Sequence, residues 1–194
     1  MNADAKKHAA AFGWFGVLAV AVFSIVWLAC YSVDTSWVWG KNSISDFGIS
    51  DTDAASFFKY GCAIVGVLLA IFGIGEVVNK KKFGYVFSGI MVVLTGICVI
   101  VVGFADLNYK GGDIHHFFAI LAAIFAAASA IAWSAQSWKC GREVVAGIPI
   151  VLSCVVLACL FAYPFEKFEV IAMVMALIWY GLYSACTIGY NVKE

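Results

Sequence analysis

Charge is the scarcest ingredient of this chain. Of 194 residues, 12 are Lys or Arg and 12 are Asp or Glu, so charged residues make up 12% and hydrophobic ones 64%. A soluble domain is about half apolar and a quarter charged. The excess apolar surface needs a second apolar solvent, and lipid is the available one. No basic run and no Arg-rich segment is present, so nothing points to a nucleic-acid partner and none is expected. No C-x-x-C pair occurs among Cys30, Cys62, Cys98, Cys140, Cys154, Cys159 and Cys186. Most of these lie inside apolar runs and are expected to pack as small hydrophobes. A Cys30–Cys62 disulfide stays open, because both should lie near one membrane face. The N-terminus also lacks an A-x-A cleavage site, and its apolar run is too long for a signal-peptide core. Trp27-Leu28-Ala29-Cys30 is similar to a lipoprotein box, but Trp27 stands where leucine is expected. A first membrane span is the expectation.

What is present is a set of six long apolar runs. A span needs roughly 20 mostly apolar residues, and the runs at about 11–31, 57–78, 84–104, 114–138, 144–163 and 170–190 qualify. Helices satisfy every backbone polar group internally, as lipid demands. The expected fold is all-α: a single polytopic up-down bundle of six transmembrane helices over 1–194. Lys6, Lys7, Lys80, Lys81, Lys82, Lys139, Arg142 and Lys193 fall on one side of it; Lys41, Lys59, Lys110 and Lys167 fall on the other. Positive charge marks the cytoplasmic side, so both termini are expected there, in the cell membrane. The loop 32–56 then faces outward. Trp37, Trp39, Tyr109 and Tyr163 are expected at the outer interface, and Trp14, Tyr85, Trp138 and Tyr190 at the inner one. Asp51, Thr52 or Asp53 is expected to cap the second span. Gly61, Gly66, Gly73, Gly89, Gly96 and Gly103 read as close-packing positions, and Glu76 is expected to reach the inner interface beside Lys80.

The fourth span opens with Gly111-Gly112-Asp113-Ile114-His115-His116. At about 100° per residue, Ala119, Ala122, Ala123, Ala126, Ala127 and Ala130 gather on one face, which small residues make suitable for close helix contact. Ile120, Leu121, Ile124, Phe125 and Ile131 fall on the other. His115 and His116 straddle the alanine face, so both are expected to point toward the bundle. Ionisable groups at such depth need partners. The outer loops offer Ser43, Ser45, Asp46, Asp106, Asn108, Asp113, Glu166 and Glu169, which are expected to converge on an outward polar pocket. Asp113 also suits an N-cap role, accepting from the amide of His115 or His116.

Two chemistries compete for this pocket. Asp113 and His116, three residues apart, share helix surface; with Asp46 they form a candidate zinc set that would leave a position open for water. There is no H-E-x-x-H and no H-x-x-x-H motif. Bis-histidine haem is not expected, since His8 belongs at the opposite membrane face. Asp46, Asp113, His115 and His116 are the candidates for general-base work. The ligand-binding set is Asn42, Ser43, Ser45, Asp46, Asp106, Asp113, His115 and His116.

Lys41-Asn42-Ser43-Ile44-Ser45-Asp46-Phe47-Gly48 resembles the N-x-[IL]-S-D-[LF]-G element of a membrane family, and Asp113-Ile114-His115-His116-Phe117-Phe118 resembles its second outer-side signature. The family is the archaeal and bacterial group of six-span proteins known as domain-of-unknown-function family 998, with a more distant similarity to DRAM- and Frag-type six-span proteins. The resemblance implies no activity. It implies that Asn42, Ser45, Asp46, Asp113 and one histidine share an outer-side site, and the doublet leaves open which histidine. The functional expectation is a membrane protein whose outer pocket binds a lipid head group or small polar ligand. A membrane hydrolase or lipid-modifying enzyme is the alternative, and a small transporter the third reading.

Overall fold

A computed structural model describes residues 3–190, with side chains from 10 to 189. Expectations that fall on the side chains of Lys6, Lys7, His8, Tyr190 and Lys193 lie outside the described residues. Six helices follow in chain order: α1 Ala3–Val33, α2 Ala54–Asn79, α3 Phe83–Phe104, α4 Asp113–Lys139, α5 Glu143–Ala162 and α6 Phe165–Tyr190. Among the described residues all six are long and apolar enough to cross a membrane. The chain is therefore an all-α multi-pass membrane protein. Consecutive helices pack as neighbours and α6 returns to α1, closing the bundle. One end, the mouth, carries the loops after α1, α3 and α5; the other carries the termini.

Glycine sets the tightest contact. A Cβ on Gly66 would strike the carbonyl of Gly96, and one on Gly73 would come within 2.7 Å of the Gly89 carbonyl. These two pairs let α2 and α3 run backbone against backbone, which lipid-embedded helices use in place of a hydrophobic driving force. Gly61 and Gly103 likewise leave room for Val26 and for Cys62 with the Lys59 carbonyl. The glycines expected to be close-packing positions are such positions.

The bundle interior is aromatic toward the terminal end. Trp179 stacks on Tyr183 at 5.0 Å, and Trp133 and Phe72 meet the same pair edge-on. Two expectations are corrected here. Tyr85 is buried, its hydroxyl 3.2 Å from that of Ser137, instead of marking an interface. Glu76 is buried at 1% exposure and accepts hydroxyls from Tyr183 (3.1 Å) and Thr187 (2.8 Å). The terminal turns of α6 bring those hydroxyls to α2, so the carboxylate bonds inside the bundle.

The α4 expectation holds for its bulky face and fails for part of the alanine face. Ile120, Ile124 and Ile131 are exposed. The packed stripe, however, runs His115, Ala119, Ala122, Ala126, Ser129, Trp133 and Ser137, and it leaves Ala123 and Ala127 exposed. Ser129 and Ser88 bond across α4 and α3 at 2.8 Å, so serines rather than those alanines centre the contact. Cys30, Cys62, Cys98 and Cys186 are buried and every cysteine is free; Cys30 donates to the Ala54 carbonyl instead of pairing with Cys62.

The glycine contact gives a testable contrast. Gly66→Val should lower stability by about 1–3 kcal/mol through overpacking. Gly147→Ala in α5, where a Cβ meets nothing within 4 Å, should be neutral or stabilising. Thermal unfolding in detergent, followed by circular dichroism, reads both.

Candidate functional site

The loop between α1 and α2 is held by its own polar residues. Asp34 closes its first turn, accepting from the Ser36 hydroxyl at 2.6 Å and the Ser36 amide at 3.0 Å. The hydroxyl bond in particular holds the Asp34 carboxyl below the usual carboxylate range. Asn42 accepts from the Val38 amide at 3.0 Å and donates to Asp46 at 3.4 Å. Ser43 and Asp46 then bond reciprocally: the Ser43 amide donates to Asp46 Oδ2 at 2.8 Å, and the Asp46 amide donates to Ser43 Oγ at 3.2 Å. This is the logic of a capping box, opening the short 3-10 turn Ser45–Ile49. Trp37, expected at the outer interface, is instead buried beneath the loop, its indole N–H on the Ser43 carbonyl at 2.7 Å and its ring stacked on Phe47 at 5.2 Å. A tryptophan with a satisfied N–H is a loop core, not a belt residue.

Two helices grip this folded loop. From α6, Glu169 accepts the Ile44 amide at 2.8 Å and the Ser45 hydroxyl at 2.6 Å. From α4, His115 places Nε2 2.9 Å from Ser45 Oγ and Nδ1 2.9 Å from the Ala105 carbonyl. A carbonyl only accepts, so Nδ1 carries a hydrogen. Ser45 Oγ has one hydrogen for two neighbours. That hydrogen is donated to Glu169 Oε1. The 2.6 Å separation is typical of a charge-assisted O–H···O bond. His115 is 1% exposed, Ser45 7% and Ile44 2%, so these bonds are sheltered from water.

The histidine doublet divides. His115 enters the packed stripe of α4, whereas His116, about 100° further round, is exposed. The expectation that both point inward is corrected by that rotation. The two glycines before the doublet have a local reason: Gly111 and Gly112 adopt φ of 68° and 83°, and Gly112 occupies the N-cap of α4. Asp113 is therefore exposed in the first helical turn and does not cap. Asp106 turns back on its own loop, accepting the Asn108 and Tyr109 amides at 2.9 and 3.0 Å. Thr52, of the three residues offered for α2, accepts the Ala54 amide at 3.2 Å.

Beside the array lies a cleft of about 310 Å³, lined in part by Lys41, Ser43, Ser45, Asp46, His116 and Glu166. Ser43, Ser45, Asp46 and His116 of the ligand-binding candidates thus meet there, Asn42 is not among the lining residues, and His115 bonds to Ser45. Asp106 and Asp113 are not among its lining residues. Among the described residues no three His, Cys, Asp or Glu side chains group so as to hold a metal ion. Of the candidate zinc set, Asp46 takes the Ser43 amide and the Asn42 side-chain amide, while Asp113 and His116 are exposed. Glu169 was legible only as one of several loop carboxylates; what distinguishes it is a register on α6 that starts at Phe165, ahead of the apolar run.

Over residues 17–185 the chain matches the family model described as Protein of unknown function (DUF998), and it belongs to that family. No curated protein and no solved structure matches it.

His115→Ala removes one end of the buried array and leaves Ser45 and Glu169 to share the other, which should cost about 2–4 kcal/mol. His116→Ala should stay within about 0.5 kcal/mol. Hydrogen exchange at the Ile44 and Ser45 amides should accelerate in the first variant and not in the second.

Proposed function

We propose that this DUF998 protein holds a polar head group in the cleft at the mouth of its bundle, and that the mouth faces the outside of the cell membrane with both termini in the cytoplasm. The observation that carries the reading is the cleft itself. A wall made by the loop and its His115–Ser45–Glu169 clamp stands beside charged side chains that line the cleft. Lys41 is exposed and Glu166 and Asp46 are half-buried, so cationic and anionic groups face one space. Ligand sites combine a preformed wall with a few placed polar groups in this way. The array supports binding better than hydrolysis. In a serine–histidine–carboxylate relay the histidine stands in the middle and its second nitrogen meets the carboxylate. Here the serine stands in the middle and the second nitrogen of His115 meets a backbone carbonyl. The outward orientation is supported by eight basic residues at the terminal end against four at the mouth.

The protein purified in mild detergent should retain bound lipid, detectable by native mass spectrometry. A Lys41→Gln/Glu166→Gln variant of unchanged melting temperature should lose it; equal retention contradicts the reading. For orientation, a cysteine at the exposed Thr35 should react with an impermeant maleimide in intact cells, and one at the exposed Lys81 only after permeabilisation. The reverse pattern contradicts the orientation.

A further inference from the structure

A second concavity, of about 470 Å³, lies between α1 and α6 and is almost entirely apolar. Tyr31, Trp37 and Trp39 form its upper wall, and Val170, Val174 and Met175 line it along α6. Like the polar cleft, it takes lining residues from the loop after α1 and from α6. The loop contributes Trp37 and Trp39 to the groove and Lys41, Ser43 and Asp46 to the cleft. Helix α6 contributes Glu166 to the cleft and, one turn further on the same face, Val170 to the groove. From Glu166 to Met175 the helix advances about 14 Å toward the membrane interior at 1.5 Å per residue. Polar lining comes first, then the rings of Tyr31, Trp37 and Trp39, then aliphatic side chains with Trp27 one turn deeper on α1. That is the order in which an amphiphile entering from the mouth side presents head group, interfacial backbone and chain. Aromatic side chains suit the middle zone, having an apolar body and a polar edge, and the indole N–H of Trp37 is already turned to the loop at Ser43.

Resting on the head-group reading above, we infer that the ligand is a phospholipid with an ammonium-bearing head, its chain lying in the α1–α6 groove. Charge complementarity selects the head. Lys41 offers a cation for phosphate, while Glu166, and Asp46 through the oxygen that the Ser43 and Asn42 amides do not take, offer carboxylates for an ammonium group. A purely anionic head would meet two like charges for one opposite charge. The groove selects the chain: with Leu28 67% exposed and Trp39 53% exposed, these walls face bilayer and are open to entry from the side.

The test uses the full-length protein in detergent with three probes: dioleoyl phosphatidylethanolamine, dioleoyl phosphatidylglycerol and the water-soluble head group glycerophosphoethanolamine. Native mass spectrometry gives lipid retention, and calorimetry gives head-group binding. Val174→Trp fills the groove, and Trp39→Ala removes a wall should the first variant melt early. Either folded groove variant should hold phosphatidylethanolamine at least tenfold more weakly while binding the soluble head group as before. Phosphatidylglycerol should bind the unsubstituted protein at least tenfold more weakly than phosphatidylethanolamine. Unchanged lipid retention in the folded groove variants, with soluble head-group binding intact, overturns the chain seat and leaves the cleft reading standing. Equal retention of the two lipids overturns the ammonium assignment. If Lys41→Gln/Glu166→Gln alters neither lipid nor head-group binding, it is the cleft reading that falls.

Discussion

A loop that is pushed into the end of a membrane bundle must satisfy its backbone without bulk water, and where its own polar residues do not reach, at Ile44, Glu169 supplies the acceptor. Ile44 is 2% exposed, and its amide has a carboxylate 2.8 Å away on a helix 125 residues later. An unpaired buried amide would cost about 1–3 kcal/mol. The same carboxylate takes the Ser45 hydroxyl, and through it the loop reaches His115 on α4. One short polar chain therefore ties the first loop, α4 and α6 together at the mouth. The cleft and the groove both use that loop as a wall, so their shapes depend on it.

The remainder of the bundle has a different basis. The α2–α3 contact is made by absent side chains, with Gly66 against Gly96 and Gly73 against Gly89. The terminal end is filled by aromatic rings and by Glu76 held under the Tyr183 and Thr187 hydroxyls. Helix α5 is the least buried of the six. The site is supplied instead by the loop after α1 and by α4 and α6.

Composition and run length carried the fold, because lipid imposes a simple rule on every span: apolar and helical over about 20 residues. Glycine spacing carried the α2–α3 contact for a similar reason. The site was legible in part. The Ser43–Asp46 reciprocal bonding has the S-x-x-D spacing of a capping box, a local signal visible in sequence. The choice between His115 and His116 was not legible, because it turns on a rotation of α4 that serines and Trp133 set, and alanine spacing alone pointed slightly to one side of it. Asp113 was misplaced as a cap because two glycines can end a turn with positive φ without a side-chain bond. Trp37 was assigned to the interface because an indole reads alike in a belt and in a loop core; only the carbonyl of Ser43, brought near by the loop's own turns, separates the two.

The clamp across the mouth is the central claim, and a double-mutant cycle between His115 and Glu169 tests it most directly. His115→Ala, Glu169→Gln and the double variant would be compared by reversible unfolding in mixed micelles. Residues joined through one buried hydroxyl should couple by about 1–3 kcal/mol. Additive effects, within about 0.5 kcal/mol, would mean that the two side chains act independently and that no such clamp holds the loop.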